Sequence, residues 1–161
     1  METGLEDISR LLDIRVGDIM SRNLVTADAN SSIVDIARIM RDRRVSSVLI
    51  TREGKVIGII TERDIVRRVV AEGRDLNNTK ASDVMSSPIV AISEDAKLSD
   101  AALLMAQKRI RRLVIIDSSG NLVGIITTTD LSKYMALQSK FSNILFNALS
   151  RVTPPVGVMY G

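Results

Sequence analysis

Two short stretches carry the residue types best suited to holding a small polar ligand. Gly58-Ile59-Ile60-Thr61-Glu62-Arg63-Asp64 and Gly124-Ile125-Ile126-Thr127-Thr128-Thr129-Asp130 each run from apolar residues into Thr-x-x-Asp. In both, a run of β character ends at the Thr and a stretch with helical periodicity begins. A hydroxyl and a carboxylate at such a junction serve two chemistries. They cap the orphan N–H groups of the helix. The carboxylate also accepts hydrogen bonds from paired hydroxyls, such as those of a ribose. The sequence leaves both roles open, and the helix N-terminus behind each motif favours anionic groups.

Composition narrows the chemistry further. The 161 residues include no His and no Cys. Ser-His-Asp and Cys-His nucleophile systems, disulfides and thiolate metal sites are therefore excluded. A carboxylate or lysine mechanism survives, but the chain reads as a binding protein and not an enzyme, with no catalytic residues and no metal. Neither Gly-x-x-x-x-Gly-Lys-Ser/Thr nor Gly-x-Gly-x-x-Gly occurs. With 22 basic and 19 acidic residues the net charge is +3, too mild to require nucleic acid. The basic pI near 9.5 keeps DNA possible, although 2% aromatics leave little for bases to stack on. No apolar run approaches the roughly 20 residues that span a bilayer. Met1–Asp7 is acidic and lacks a signal-peptide core. The expectation is a cytoplasmic protein without a membrane partner.

The elements that must position the two motifs are themselves duplicated. Aligning 16–65 with 81–131, with one extra residue before Gly120, makes 15 of 50 positions identical. The matches include Asp18/Asp83, Met20/Met85, Asp35/Asp100, Met40/Met105, Arg44/Arg109, Gly54/Gly120, Gly58/Gly124, Thr61/Thr127 and Asp64/Asp130. Ser31 and Ser32 are candidate caps before an apolar face of Ile33, Ile36, Ala37 and Met40. Leu98, Ala101, Ala102 and Met105 repeat that face. Strands are predicted at 24–26, 48–51 and 56–61, and again at 89–91, 113–116 and 122–127, with Gly54 and Gly120 in the hairpin turns. Each unit is thus β-α-β-β-α, and a unit of this size buries too little surface to stand alone. The predicted fold is α+β, with two units packed sheet to sheet about a pseudo-twofold axis and flanked by terminal helices. Its segments are an N-terminal helical segment (1–15), unit one (16–73), a polar linker (74–80), unit two (81–134), and a C-terminal helix and tail (135–161). The apolar faces of the terminal helices either cover their own domain or meet a second chain.

These residues resemble the tandem pair of CBS (cystathionine β-synthase) domains. The marks are Val16-Gly17-Asp18-Ile19-Met20 and Ala81-Ser82-Asp83-Val84-Met85, then Val45–Ile50 and Ile110–Ile116, then the two Gly-Ile-Ile-Thr-x-x-Asp stretches. The resemblance covers about residues 16–133. It implies a non-catalytic regulatory module with two clefts for adenosine-containing ligands: AMP, ADP, ATP, S-adenosylmethionine or sometimes NAD. It also implies a homodimer and a separate effector protein that receives the signal. The competing reading is a structural or DNA-associated pair without a ligand.

Carried over residue by residue, the resemblance gives cleft A as Asp18, Met20, Asn23, Val45, Ser46 and Ser47 with Ile125, Thr127 and Asp130. Cleft B is Asp83, Met85, Pro88, Ile110 and Arg111 with Ile59, Thr61 and Asp64. Arg112 follows Arg111 in the cleft B run and is also assigned to cleft A. Both arginines are candidate phosphate contacts from across the sheet. Asp18 and Asp83 can equally cap a helical turn, and Met20 and Met85 can be core filler. The neutral Thr127-Thr128-Thr129 favours cleft A for a phosphorylated ligand over Thr61-Glu62-Arg63.

Overall fold

The computed structural model describes residues 13–137 and Asn143. The apolar residues Leu5, Ile8, Leu11 and Leu12 at the N-terminus, and the tail beyond 137 apart from Asn143, lie outside the described residues. Each unit is one three-stranded sheet. In unit one, β1 (Thr26–Asp28), β2 (Ser47–Arg52) and β3 (Lys55–Thr61) lie in the order β1-β2-β3. In unit two, β4 (Ala91–Ser93), β5 (Arg112–Ile116) and β6 (Leu122–Thr127) lie in the order β4-β5-β6. The first pair in each sheet is parallel and is joined by a helix, α2 (Ile33–Arg43) or α5 (Leu98–Lys108). The second pair is an antiparallel hairpin.

The first strand of each unit starts two residues later than the apolar pattern predicts. Val25 and Val90 stop just short of the ladder, where their carbonyls accept from Leu49 and Val114 at 2.9 and 3.0 Å. In the first hairpin turn, Glu53 shares the positive φ of Gly54, at 51° and 76°. Two positive φ values in succession suit the right-handed twist of a tight hairpin.

The helices bury a narrower stripe than expected. Ile33, Ile36 and Met40 are buried on α2, as are Ala101 and Met105 on α5, but Ala37 and Ala102 face solvent. Ser32 caps α2 by accepting from the Asp35 N–H at 3.2 Å. Lys97 stands at the same place before α5 and provides no side-chain cap. The linker is tied down: the Leu76 and Thr79 carbonyls accept from the Val34 and Ile33 N–H groups at 3.1 and 3.0 Å. These are orphan donors of the α2 N-terminus.

The opening segment of each unit packs into the other unit. Val16 and Met20, in and just after α1 (Val16–Ile19), are buried with Ala101, Met105, Leu113, Ile115 and Ile126 of unit two. Ala81 and Val84 of α4 (Ala81–Val84) are buried with Ile33, Ile36, Val48, Ile50 and Ile60 of unit one. Paired backbone bonds stitch the exchange: Ser21 to Ile125 at 2.9 Å both ways, and Ser86 to Ile59 at 2.9 and 3.0 Å. Each core therefore takes its opening turn from the other copy of the repeat.

The opposite face of each central strand is covered too. Leu49 and Val114 are 2% and 4% exposed and lie outside both helix-side cores. On this inner face the two sheets meet the clefts.

Candidate functional site: two clefts with a shared wall

Each Thr-x-x-Asp motif closes a strand and opens a helix. The first leads into α3 (Glu62–Ile65), which continues as a π turn over Val66–Val70. The second leads into α6 (128–137). The local bonding is the same in both copies. The Asp64 Oδ2 accepts from the Thr61 N–H at 2.9 Å and from its hydroxyl at 3.0 Å, and the Asp64 N–H donates to the Thr61 Oγ1 at 3.2 Å. At Thr127 and Asp130 the distances are 2.8, 3.0 and 3.2 Å. In both copies the motif caps its own helix. One carboxylate oxygen closes the turn, and Oδ1 is the oxygen that can accept from a ligand. The Thr hydroxyl gives its proton to its own Asp and accepts from the Asp N–H, so both of its bonds serve the cap.

Cleft A has a volume of about 660 Å³, within the usual range for a small-molecule site. Of the residues predicted for it, Asn23, Val45, Ser46, Ser47, Arg112, Ile125, Thr127 and Asp130 line it. Asp18 and Met20 do not. The Asp18 carboxylate accepts from the Arg15 N–H at 2.8 Å and holds the first turn of α1. Met20 is buried, with its sulfur packed against Gly124. Cleft B has a volume of about 260 Å³ and is lined by Pro88, Ile110, Arg111, Ile59, Thr61 and Asp64 as predicted. Asp83 and Met85 lie outside that lining for the matching reasons. Asp83 accepts from the Lys80 N–H at 3.1 Å, and the Met85 sulfur lies on Gly58.

Several lining residues were not singled out. Leu24, Val25 and Leu49 add an apolar wall to cleft A, and Ile89, Val90 and Val114 do so in cleft B. Arg44 lines cleft A and Arg109 lines cleft B. Both adopt a left-handed conformation at a helix C-terminus, with φ of 53° and 55°, where Gly is the usual residue. Their identity at aligned positions is the signal that marks them; as isolated surface charges they look like solvated ends of a helix.

The electrostatics of cleft A are set by Arg44, Arg63, Arg111, Arg112 and Lys133 against Glu62 and Asp130. Arg112 is the most constrained. It donates from Nη2 to the Ser46 Oγ across the two units at 3.0 Å, and its Nε is buried without a hydrogen-bond partner. Burial pushes its guanidinium below the ordinary arginine value; the carboxylates of Asp64 and Glu62 oppose that shift, while Arg111 and Arg63 add to it. The group stays charged all the same. The clefts also differ at their carboxylates. Arg68 lies 3.7 Å from Asp64, and the repeat places Tyr134 where Arg68 stands. Among the described residues no group of three or more His, Cys, Asp or Glu gathers as a metal site, and no helix is long and apolar enough to cross a membrane.

The family model for the CBS domain matches this chain twice, over residues 16–71 and 81–137. The chain belongs to the CBS domain family. Its tandem CBS pair is 39% identical over 117 residues to the CBS domain-containing protein YhcV of Bacillus subtilis, covering 73% of this chain and 82% of that one. It is 40% identical over 119 residues to protein MK0525 of Methanopyrus kandleri, covering 73% of this chain but only 61% of that protein's length. Among solved structures, the CBS pair of protein MJ0100, in complex with 5′-methylthioadenosine and S-adenosyl-L-methionine, superposes with a TM-score of 0.68. That match has 28% identity and covers 78% of this chain and 98% of the other.

Proposed function

We propose that this CBS pair is a non-catalytic regulatory module that binds an adenine nucleotide or related adenosyl ligand and signals to a separate effector. Cleft A carries the reading. There a carboxylate with one uncommitted oxygen, Asp130, faces an apolar wall of Val25, Val45, Leu49 and Ile125, with five cations around it. The carboxylate suits ribose hydroxyls, the wall suits a purine face, and the cations suit phosphate. The adenosyl ligands of the MJ0100 pair support the ligand class. Cleft B, smaller and with a more apolar far wall, suits an adenosyl group without a long phosphate chain. Ligand binding shifts the arrangement of the two units, or of two chains in a homodimer, by no more than its differential affinity for the two arrangements. Calorimetry with AMP, ATP and S-adenosylmethionine tests this: at least one should bind saturably, and absence of heat and thermal shift with all three refutes it.

A further inference from the structure

The two clefts are not separate. Thr61, Arg63, Arg111 and Arg112 line both. The repeat makes this wall one-sided, because the counterparts of Arg111 and Arg112 in unit one are Ser46 and Ser47. Three guanidiniums, those of Arg63, Arg111 and Arg112, therefore stand on the wall between the two sites, and Arg112 is the one that is half-buried and bonded across the two units. Arg112 holds its place through one bond to Ser46, and among the described residues its Nε is the only buried side-chain polar atom without a partner. An orphaned buried donor asks for an explanation. A phosphate arriving from a cleft supplies one, since guanidinium and phosphate pair through two parallel N–H···O bonds.

We propose that Arg112 couples the two clefts: a phosphate-bearing ligand in one recruits the guanidinium and weakens phosphate binding in the other, whereas a ligand without phosphate leaves the second cleft unaffected. This rests on the adenosyl-binding reading above. One planar fork cannot direct its full donor set to two anions on opposite sides. The module then responds to mixtures: a nucleotide in cleft A and an unphosphorylated adenosyl compound in cleft B bind together, and two nucleotides compete.

The test is a methyl-resolved NMR titration of the full chain with AMP and, separately, with adenosine. Ile125 lines cleft A alone and Ile110 lines cleft B alone, so each reports one site. With AMP, the midpoints of the two sites should lie roughly tenfold further apart than with adenosine, a coupling of ordinary size. Arg112→Gln should abolish that extra separation while AMP still binds. Arg112→Lys keeps a cation on the strand and should reduce the separation, which serves if the Gln variant does not fold. An AMP separation no larger than that of adenosine overturns the coupling and leaves the adenosyl-binding reading standing. So does a separation that survives both substitutions. If Ile125 and Ile110 respond to neither probe at millimolar concentration, the adenosyl-binding reading fails and the coupling fails with it.

Discussion

In the Thr127–Asp130 pair, Oδ2 carries both bonds from the threonine. Removing the carboxylate therefore removes a helix cap and a ligand acceptor together. Asp130→Ala should lower stability by about 1 kcal/mol, the usual cost of a lost cap, and should also weaken ligand binding in cleft A. Asp64→Ala removes the same cap but disturbs that binding less, because its carboxylate already faces Arg68 at 3.7 Å and borders the smaller cleft. Denaturant melts should show similar losses for the two variants while calorimetry separates them; equal losses of affinity would contradict the choice of cleft. Thr-x-x-Asp before a helix is legible in sequence because its two side chains bond only within their own turn. The hydrogen bonds that hold Asp18 and Asp83 are equally local, so sequence alone could not decide whether those residues cap or bind. The structure shows them capping, away from both linings.

At the scale of elements, glycine and methionine make the joint between the units. A Cβ on Gly124 would overlap the Met20 sulfur and come within 3.0 Å of the Ser21 carbonyl oxygen, and a Cβ on Gly58 would meet Met85 and Ser86 in the same way. Gly124→Ala and Gly58→Ala should each cost about 1–3 kcal/mol, the scale of overpacking a close contact, read as a lower denaturation midpoint. Gly54→Ala meets no neighbouring atom, and its cost comes only from its positive φ of 76°. The sequence shows these glycines as repeated but not what lies on them. The same alternation of apolar residues is satisfied whether an opening segment folds onto its own sheet or the other one, and only the tertiary arrangement chooses. The helix faces and hairpins were readable because 3.6- and 2-residue periods are set within one element. The displaced first strands were not, because a parallel partner some twenty residues away fixes where pairing begins.

At the scale of the whole molecule, the exchanged segments put residues of both copies in both cores. Neither copy can unfold without opening the core of the other, so denaturation should follow one transition that coincides for different probes. Two separated transitions would show that the exchange does not bind the units together. The same interlock places the clefts where the copies meet, so a ligand touching both is positioned to alter how they sit. Arg112, donating from unit two to Ser46 of unit one, is the side chain where that effect crosses from one cleft to the other. The central claim is that cleft A binds an adenosyl ligand through Asp130. Calorimetric titration of the unaltered chain and of Asp130→Ala with AMP, ATP and S-adenosylmethionine tests it most directly. Saturable binding of at least one compound, weakened at least tenfold by the substitution, is the predicted result. Absence of binding by all three, or binding that Asp130→Ala leaves unchanged, would contradict it.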